Sequence, residues 1–246
     1  MPETFAFVHF LNSLLLSVEV KALQSVNPDA AKATDFALKI NQALALELLV
    51  ACGLIAFFLL VRLTLSAEKP NAAQQIAEMV HGFTGSQAEQ VIGHGYQRFQ
   101  AYTTCILLFV LINNLLGLIP GVVTPTSLPS VPLGLAALTF VYYHYQGVRV
   151  NGFGYIKQFM GPMWGIAWLL FPIEIISHFA RVMSLTIRLY ANMFASDLVT
   201  LVFFSLVPLA LPAGFLAFHI FVSGVQAYIF MLLTMIYLSQ AVAHEH

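Results

Sequence analysis

Long apolar runs separated by short polar connections dominate the chain from about residue 44 onward. The first run, about 44–66 (LALELLVACGLIAFFLLVRLTLS), is long enough to cross about 30 Å of hydrocarbon as a helix. Others follow at about 99–119, 131–146, 164–207 and 213–242. The run 164–207 has no break except Pro172. As one helix it spans about 65 Å, twice the bilayer core. It lacks the Gly/Pro/Asn cluster that a turn between two spans needs. One strongly tilted helix is therefore expected, ended by Pro208 and Pro212, with a second long tilted span after it.

Two segments read differently. In 71–95, Ile76, Met79, Val80 and Phe83 recur at i, i+3, i+4 and i+7 among Gln, Glu and Ser. This pattern predicts an amphipathic helix in the membrane plane, broken near Gly82–Gly85. A short solvent-facing helical loop is the competing reading. Residues 1–43 form an N-terminal outer-side segment, with an interfacial helix at Phe5–Val20 and a polar stretch from Lys21 to Lys39. The expectation is an all-α integral membrane protein. It has five transmembrane helices plus the in-plane amphipathic helix, in a membrane domain over 44–246.

Composition agrees with this expectation. The chain is 59% hydrophobic and 9% charged, where globular domains are about 25% charged. A net charge of −1 gives no electrostatic case for nucleic acid. Cys52 and Cys105 sit in apolar runs and read as small buried hydrophobes rather than a disulfide. The start PETFAFVHFLNSLLL lacks the basic region and cleavage site of a removed signal. Arg62, Lys69, Arg98, Arg149 and Lys157 flank two connections, while 120–130 and 208–213 have no lysine or arginine. The positive-inside rule then puts the N-terminus outside and the C-terminus in the cytoplasm.

The costly residues lie in PIEIISHFARVMSLTIRLYANMFASDLVT, from Pro172 to Thr200. Glu174, His178, Arg181, Leu185, Arg188 and Asn192 are spaced 4, 3, 4, 3 and 4, which makes one helical stripe. Asp197 lies nine residues past Arg188, half a turn round the axis. Along that axis Glu174 is about 21 Å before Arg188 and Asp197 about 14 Å after it. Arginine stays protonated, so it cannot carry a proton by releasing its own. It can hold a partner's carboxylate and favour proton loss from it. On the last span His219, Ser223, Gln226 and Phe230 share a face. Alone, His219 also fits a hydrogen-bonded core histidine; with Asp197 on the neighbouring helix, a proton-handling pair is the stronger reading. Asn113 and Asn114 could glue helices or line a wet path. His144, in VYYHYQG, reads as an interface residue beside tyrosines.

Other chemistry is not supported. HEH at 244–246 lacks the HExxH spacing of a zinc site. Gly-Phe-Gly at 152–154 leads to no phosphate site, and Ser184 and Ser196 have no triad partners. No metal and no cofactor is expected. A self-contained secondary transporter binding a charged solute through Glu174, Arg188 and Asp197 is the rival function. Such folds usually carry internal repeats, and none is found here.

Several segments, in order, resemble subunit a of the F-type ATP synthase membrane sector. They are NNLLGLIPG (113–121), VYYHYQG (141–147), FPIEIISHFAR (171–181), SLTIRLYANMFASDLV (184–199) and FHIFVSGVQAYIFMLLTMIYLS (218–239). The resemblance implies that the family's essential arginine is Arg188 and its neighbouring amide Asn192. It implies an outer half-channel with Asp197, His219, Gln226 and Asn114, and an inner path with Glu174 and His178. It implies a non-catalytic stator in the bacterial cell inner membrane. The partners implied are a ring of small hairpin subunits bearing a membrane carboxylate, a peripheral-stalk subunit b, the ATP synthase catalytic head and lipid. The chain departs from the common family pattern at Ser196-Asp197, where Gly-Glu is frequent, and at Gly117, where an aspartate is frequent.

Overall fold

The computed structural model describes residues 30–66, 70–119, 124–152, 154–155, 167–206 and 210–242. The stretch Phe5–Val20 and the terminal HEH lie outside the described residues. Six α-helices form among the described residues. They are α1 Ala30–Leu63, α2 Ala72–Ile92, α3 Gln97–Leu115, α4 Ser130–Asn151, α5 Ala167–Leu206 and α6 Ala210–Val242. Single 3₁₀ turns extend α3 at Leu116–Leu118 and precede α4 at Pro125–Ser127. The all-α expectation holds, as does one continuous helix across 167–206.

Four helices contain stretches long and apolar enough to cross a membrane: Ala43–Leu63, Gln97–Leu118, Leu170–Thr200 and Gly214–Val242. The remaining expected span, α4, has the length at 22 residues but falls short in hydropathy. Its second half carries the tyrosine–histidine run and Arg149. Two boundaries differ from expectation. α1 starts at Ala30, inside the segment read as polar. α6 starts at Ala210, so Pro212 opens that helix rather than closing α5; proline is tolerated in a first turn because its missing N–H is unpaired there anyway. Pro172 stays within α5, in its second turn, at the cost of one backbone bond.

The helix α2 is unbroken, which corrects the break expected near Gly82–Gly85. Glycine weakens a helix by only about 1 kcal/mol, and here packing offsets that. Gly85 sits where a side chain would collide with Gln100, whose amide donates to the His81 carbonyl at 2.7 Å. Beside it the Thr84 and Thr104 hydroxyls share a hydrogen bond of 2.7 Å. Gln74, Thr84, Gly85 and Ala88 face inward, whereas Ile76, Met79 and Phe83 are exposed.

That inversion runs through the molecule. Thr103, Asn113, Asn114, Thr139, Ser223 and Thr234 are essentially fully buried, while Leu60, Ile176, Phe179 and Phe221 are more than half exposed. In lipid, apolar surface need not hide, and polar groups join helices. The cysteines follow the same rule. Cys52 and Cys105 are free, as read, but both are exposed on the outer surface rather than buried.

The core joins α3, α5 and α6 through Val110, Leu185, Leu189, Met193, Met231 and Met235. α6 is central and packs on α2, α3, α4 and α5. α5 and α6 form a hairpin in which residues about equally far from the connection meet. Ser196 reaches His219, and Arg181 reaches Tyr237.

Replacing Gly85 with leucine is expected to drive Gln100 from its bond and splay α2 from α3, costing about 1–3 kcal/mol. Gly82→Ala meets open space and should cost nothing. Thermal unfolding in detergent should show a clear fall for the first variant only.

Candidate functional site

Two separate polar clusters sit along α5, with Arg188 between them. The first lies toward the N-terminal half of α5, where α4, α5 and α6 converge. The Tyr143 hydroxyl lies 2.8 Å from His178 Nδ1, and His178 Nε2 lies 3.4 Å from Glu174 Oε1. With Nε2–H toward the carboxylate, Nδ1 accepts from the tyrosine. The His144 ring is 4.8 Å from the His178 ring, and the Arg181 guanidinium lies 5.3 Å from the centre of the Tyr237 ring. A cavity of about 110 Å³ opens among Tyr143, Glu174, His178, Arg181, Tyr237 and Gln240. Half-buried His144 is thus packed inside this cluster, which corrects its reading as an interface residue only. The reason is that α4 packs on α5 at that level, so its last turns face protein as well as lipid.

The second cluster lies toward the C-terminal half of α5. His219 is 2% exposed and bonded at both nitrogens. Nδ1 lies 2.8 Å from Ser196 Oγ and 3.8 Å from Asp197 Oδ1; Nε2 lies 3.1 Å from the Asn114 carbonyl oxygen. Asn114 accepts from the Thr126 hydroxyl at 2.6 Å and donates to the Ser223 carbonyl at 3.5 Å. The hydroxyls of Thr124 and Ser127 approach the Asp197 carboxyl. Ser223 Oγ is buried without a protein partner, so this region holds a polar atom that water would satisfy. A cleft of about 220 Å³ between α5 and α6 is lined by Asn192, Ser196 and Thr200.

Gly117 is integral to this arrangement. A side chain there would begin 3.2 Å from His219 Nε2 and collide with the Thr124 hydroxyl. Thr124 and His219 therefore occupy the space that a larger residue at 117 would take.

Arg188 is half-buried, and its hydrogen-bond partner is Ser184 Oγ one turn back, at 3.4 Å. Among the described residues no carboxylate stands within ion-pair distance of it. It lies on the exposed side of α5 in line with Ala180, Ser184, Ala191 and Ala195, all exposed and small. Gln226 is buried on α6, and the hairpin register places it level with Arg188. Glu174 and His178 are thus brought together, as are Asp197, His219 and Asn114, while Arg188 joins neither group. The sequence did not single out Tyr143, Thr124 or Thr126. Ser196 has no triad partners, yet it adjoins Asp197 and mirrors His219 across the α5–α6 connection.

Comparison with known proteins agrees with this architecture. Residues 44–239 match the family described as ATP synthase A chain. A protein of Koribacter versatilis named "ATP synthase subunit a" is 49% identical over the full length of both chains. One of Solibacter usitatus with the same name is 48% identical over 82% of this chain and 87% of that protein. "ATP synthase subunit a 1" of Syntrophotalea carbinolica is 39% identical over 73% and 77%. The chain is a multi-pass membrane protein and belongs to the ATP synthase A chain family.

Gly117→Ala is expected to displace Thr124 and loosen the His219 cluster, lowering stability by about 1–3 kcal/mol. Adding Thr124→Ala removes the struck hydroxyl and should recover part of the loss. Thermal unfolding of the two single variants and the double variant measures this coupling; strict additivity would contradict it.

Proposed function

We propose that this chain is the proton-conducting stator subunit of the F-type ATP synthase membrane sector. The observation that carries the reading is the position of Arg188. It is a fixed cation without a carboxylate partner among the described residues, on an exposed helix face, between two polar clusters that do not join. An exposed stripe of small residues lets a partner helix approach closely. A carboxylate on that helix would then meet the guanidinium as its counter-ion.

In this account a rotating ring of small hairpin subunits, each with a membrane carboxylate, runs past α5. Protons enter from outside past Asn114, Asp197, His219 and Gln226, along the cleft beside Asn192, and neutralise a ring carboxylate. The neutral site moves through lipid for nearly a full rotation. It loses its proton next to Glu174 and His178, which lead to the cytoplasm. Arg188 lowers the free energy of the ionised ring carboxylate and so favours release. Its charge also repels a proton that would cross straight between the two paths. The chain itself makes no ATP; it works with peripheral-stalk subunit b and the catalytic head. It lies in the bacterial inner membrane with five spans, α4 being the least apolar. Its N-terminus is outside, its C-terminus cytoplasmic, and α5 and α6 are tilted. Tilt accounts for α5, whose 40 residues give about 60 Å of helix against about 30 Å of hydrocarbon.

Arg188→Ala should abolish proton-driven ATP synthesis in vesicles carrying the assembled complex. Unimpaired synthesis with normal amounts of the variant in the membrane would overturn the assignment.

A further inference from the structure

The outer cluster holds a finer arrangement. A backbone carbonyl only accepts hydrogen bonds, so the Asn114 oxygen requires a hydrogen on His219 Nε2. In the neutral imidazole, Nδ1 is then the acceptor, and the Ser196 hydroxyl donates to it at 2.8 Å. Asp197 Oδ1, at 3.8 Å from the same nitrogen, is beyond hydrogen-bond length. Asp197 is also the one carboxylate within 4 Å of this ring among the described residues. Ser196 and His219 are both buried, at 7% and 2% exposure, and bulk water does not bridge them freely.

We infer that Ser196 is a positioning residue of the outer path: its hydroxyl holds the His219 ring with Nδ1 on the side of Asp197, and His219 exchanges protons only at Nδ1. The inference rests on the proposed outer half-path. When a proton arrives at Nδ1 from the Asp197 side, the Ser196 hydroxyl turns from donor to acceptor and keeps the ring in place. The product is an imidazolium with hydrogens on both nitrogens, facing the Asp197 carboxylate. Return of a proton from Nδ1 restores the starting state. The Nε2 hydrogen stays in place throughout, because the carbonyl it faces is no base. His219 therefore stands beside the proton path as a store of charge. Onward transfer runs along the α5–α6 cleft, where Ser196 and Asn192 share a wall.

The test uses the assembled holoenzyme in inverted membrane vesicles, with subunit amounts checked by immunoblotting and ATP-driven proton pumping as the readout. Ser196→Ala should slow pumping about two- to tenfold, the range set by one lost hydrogen bond. Ser196→Thr, which keeps the hydroxyl, should retain most of the rate. The double variant Ser196→Ala with Asp197→Glu should regain most of it, because the longer acid reaches Nδ1 directly. A merely structural serine would not be rescued by lengthening its neighbour. Normal pumping by an assembled Ser196→Ala complex would overturn the inference, and so would failure of the double variant to recover. Asp197→Asn separates this from the underlying reading. If it pumps normally, the outer half-path itself is wrong; if it fails while Ser196→Ala is normal, only the role of the hydroxyl is wrong.

Discussion

A guanidinium held among lipid-facing helices constrains everything around it. Insertion of an arginine at the middle of a spanning helix costs about 2.5–3.5 kcal/mol, and the group cannot shed its charge. A nearby acid on the same chain would relieve that cost, yet Glu174 pairs with His178 and Asp197 stands by His219. Arg188 has a serine hydroxyl one turn away. The arrangement leaves its charge available to a carboxylate outside this chain. Its exposed small-residue flanks give such a group room to come close.

The α5–α6 hairpin turns that constraint into geometry. One register sets His219 against Ser196, Gln226 level with Arg188, and Tyr237 against Arg181. Three heights along one helix thus acquire three chemistries: a hydroxyl–imidazole–carboxyl group, an isolated cation, and a tyrosine–histidine–carboxylate group beside a cavity. α3 closes the first by presenting Asn114 with its carbonyl and amide, and α4 closes the last by presenting Tyr143. The core between these layers is apolar, through Leu185, Leu189, Met193, Met231 and Met235. An apolar layer between two polar regions suits a device in which no continuous wire may form.

Much of this was legible in the sequence, because hydropathy and helical spacing are local signals. The continuous helix through Pro172, the stripe from Glu174 to Asn192 and the shared face of His219, Ser223 and Gln226 all follow from counting residues. What escaped depended on packing between distant segments. Tyr143 reaches His178 only once α4 lies on α5, and Thr126 reaches Asn114 only once the segment before α4 folds back. The break foreseen in α2 failed because Gly85 serves close contact with Gln100 rather than a bend. The cysteines, read as buried by the habits of water-soluble proteins, are exposed because lipid rewards the opposite placement. Ser196 shows no nucleophile's surroundings in the sequence; its role as a hydrogen-bond partner of His219 emerges only when α6 folds back on α5.

The central claim is that Arg188 divides two polar paths opening on opposite faces of the membrane. Sided labelling tests it most directly. In a background with Cys52 and Cys105 replaced by serine, single cysteines would stand at Ser127, beside the Asp197 cluster, and at Gln240, in the cavity by Glu174. A membrane-impermeant thiol reagent would be added to vesicles of known orientation, from one side at a time. The account predicts labelling of position 127 from the outer face only and of position 240 from the cytoplasmic face only. Labelling of both positions from the same face would contradict it.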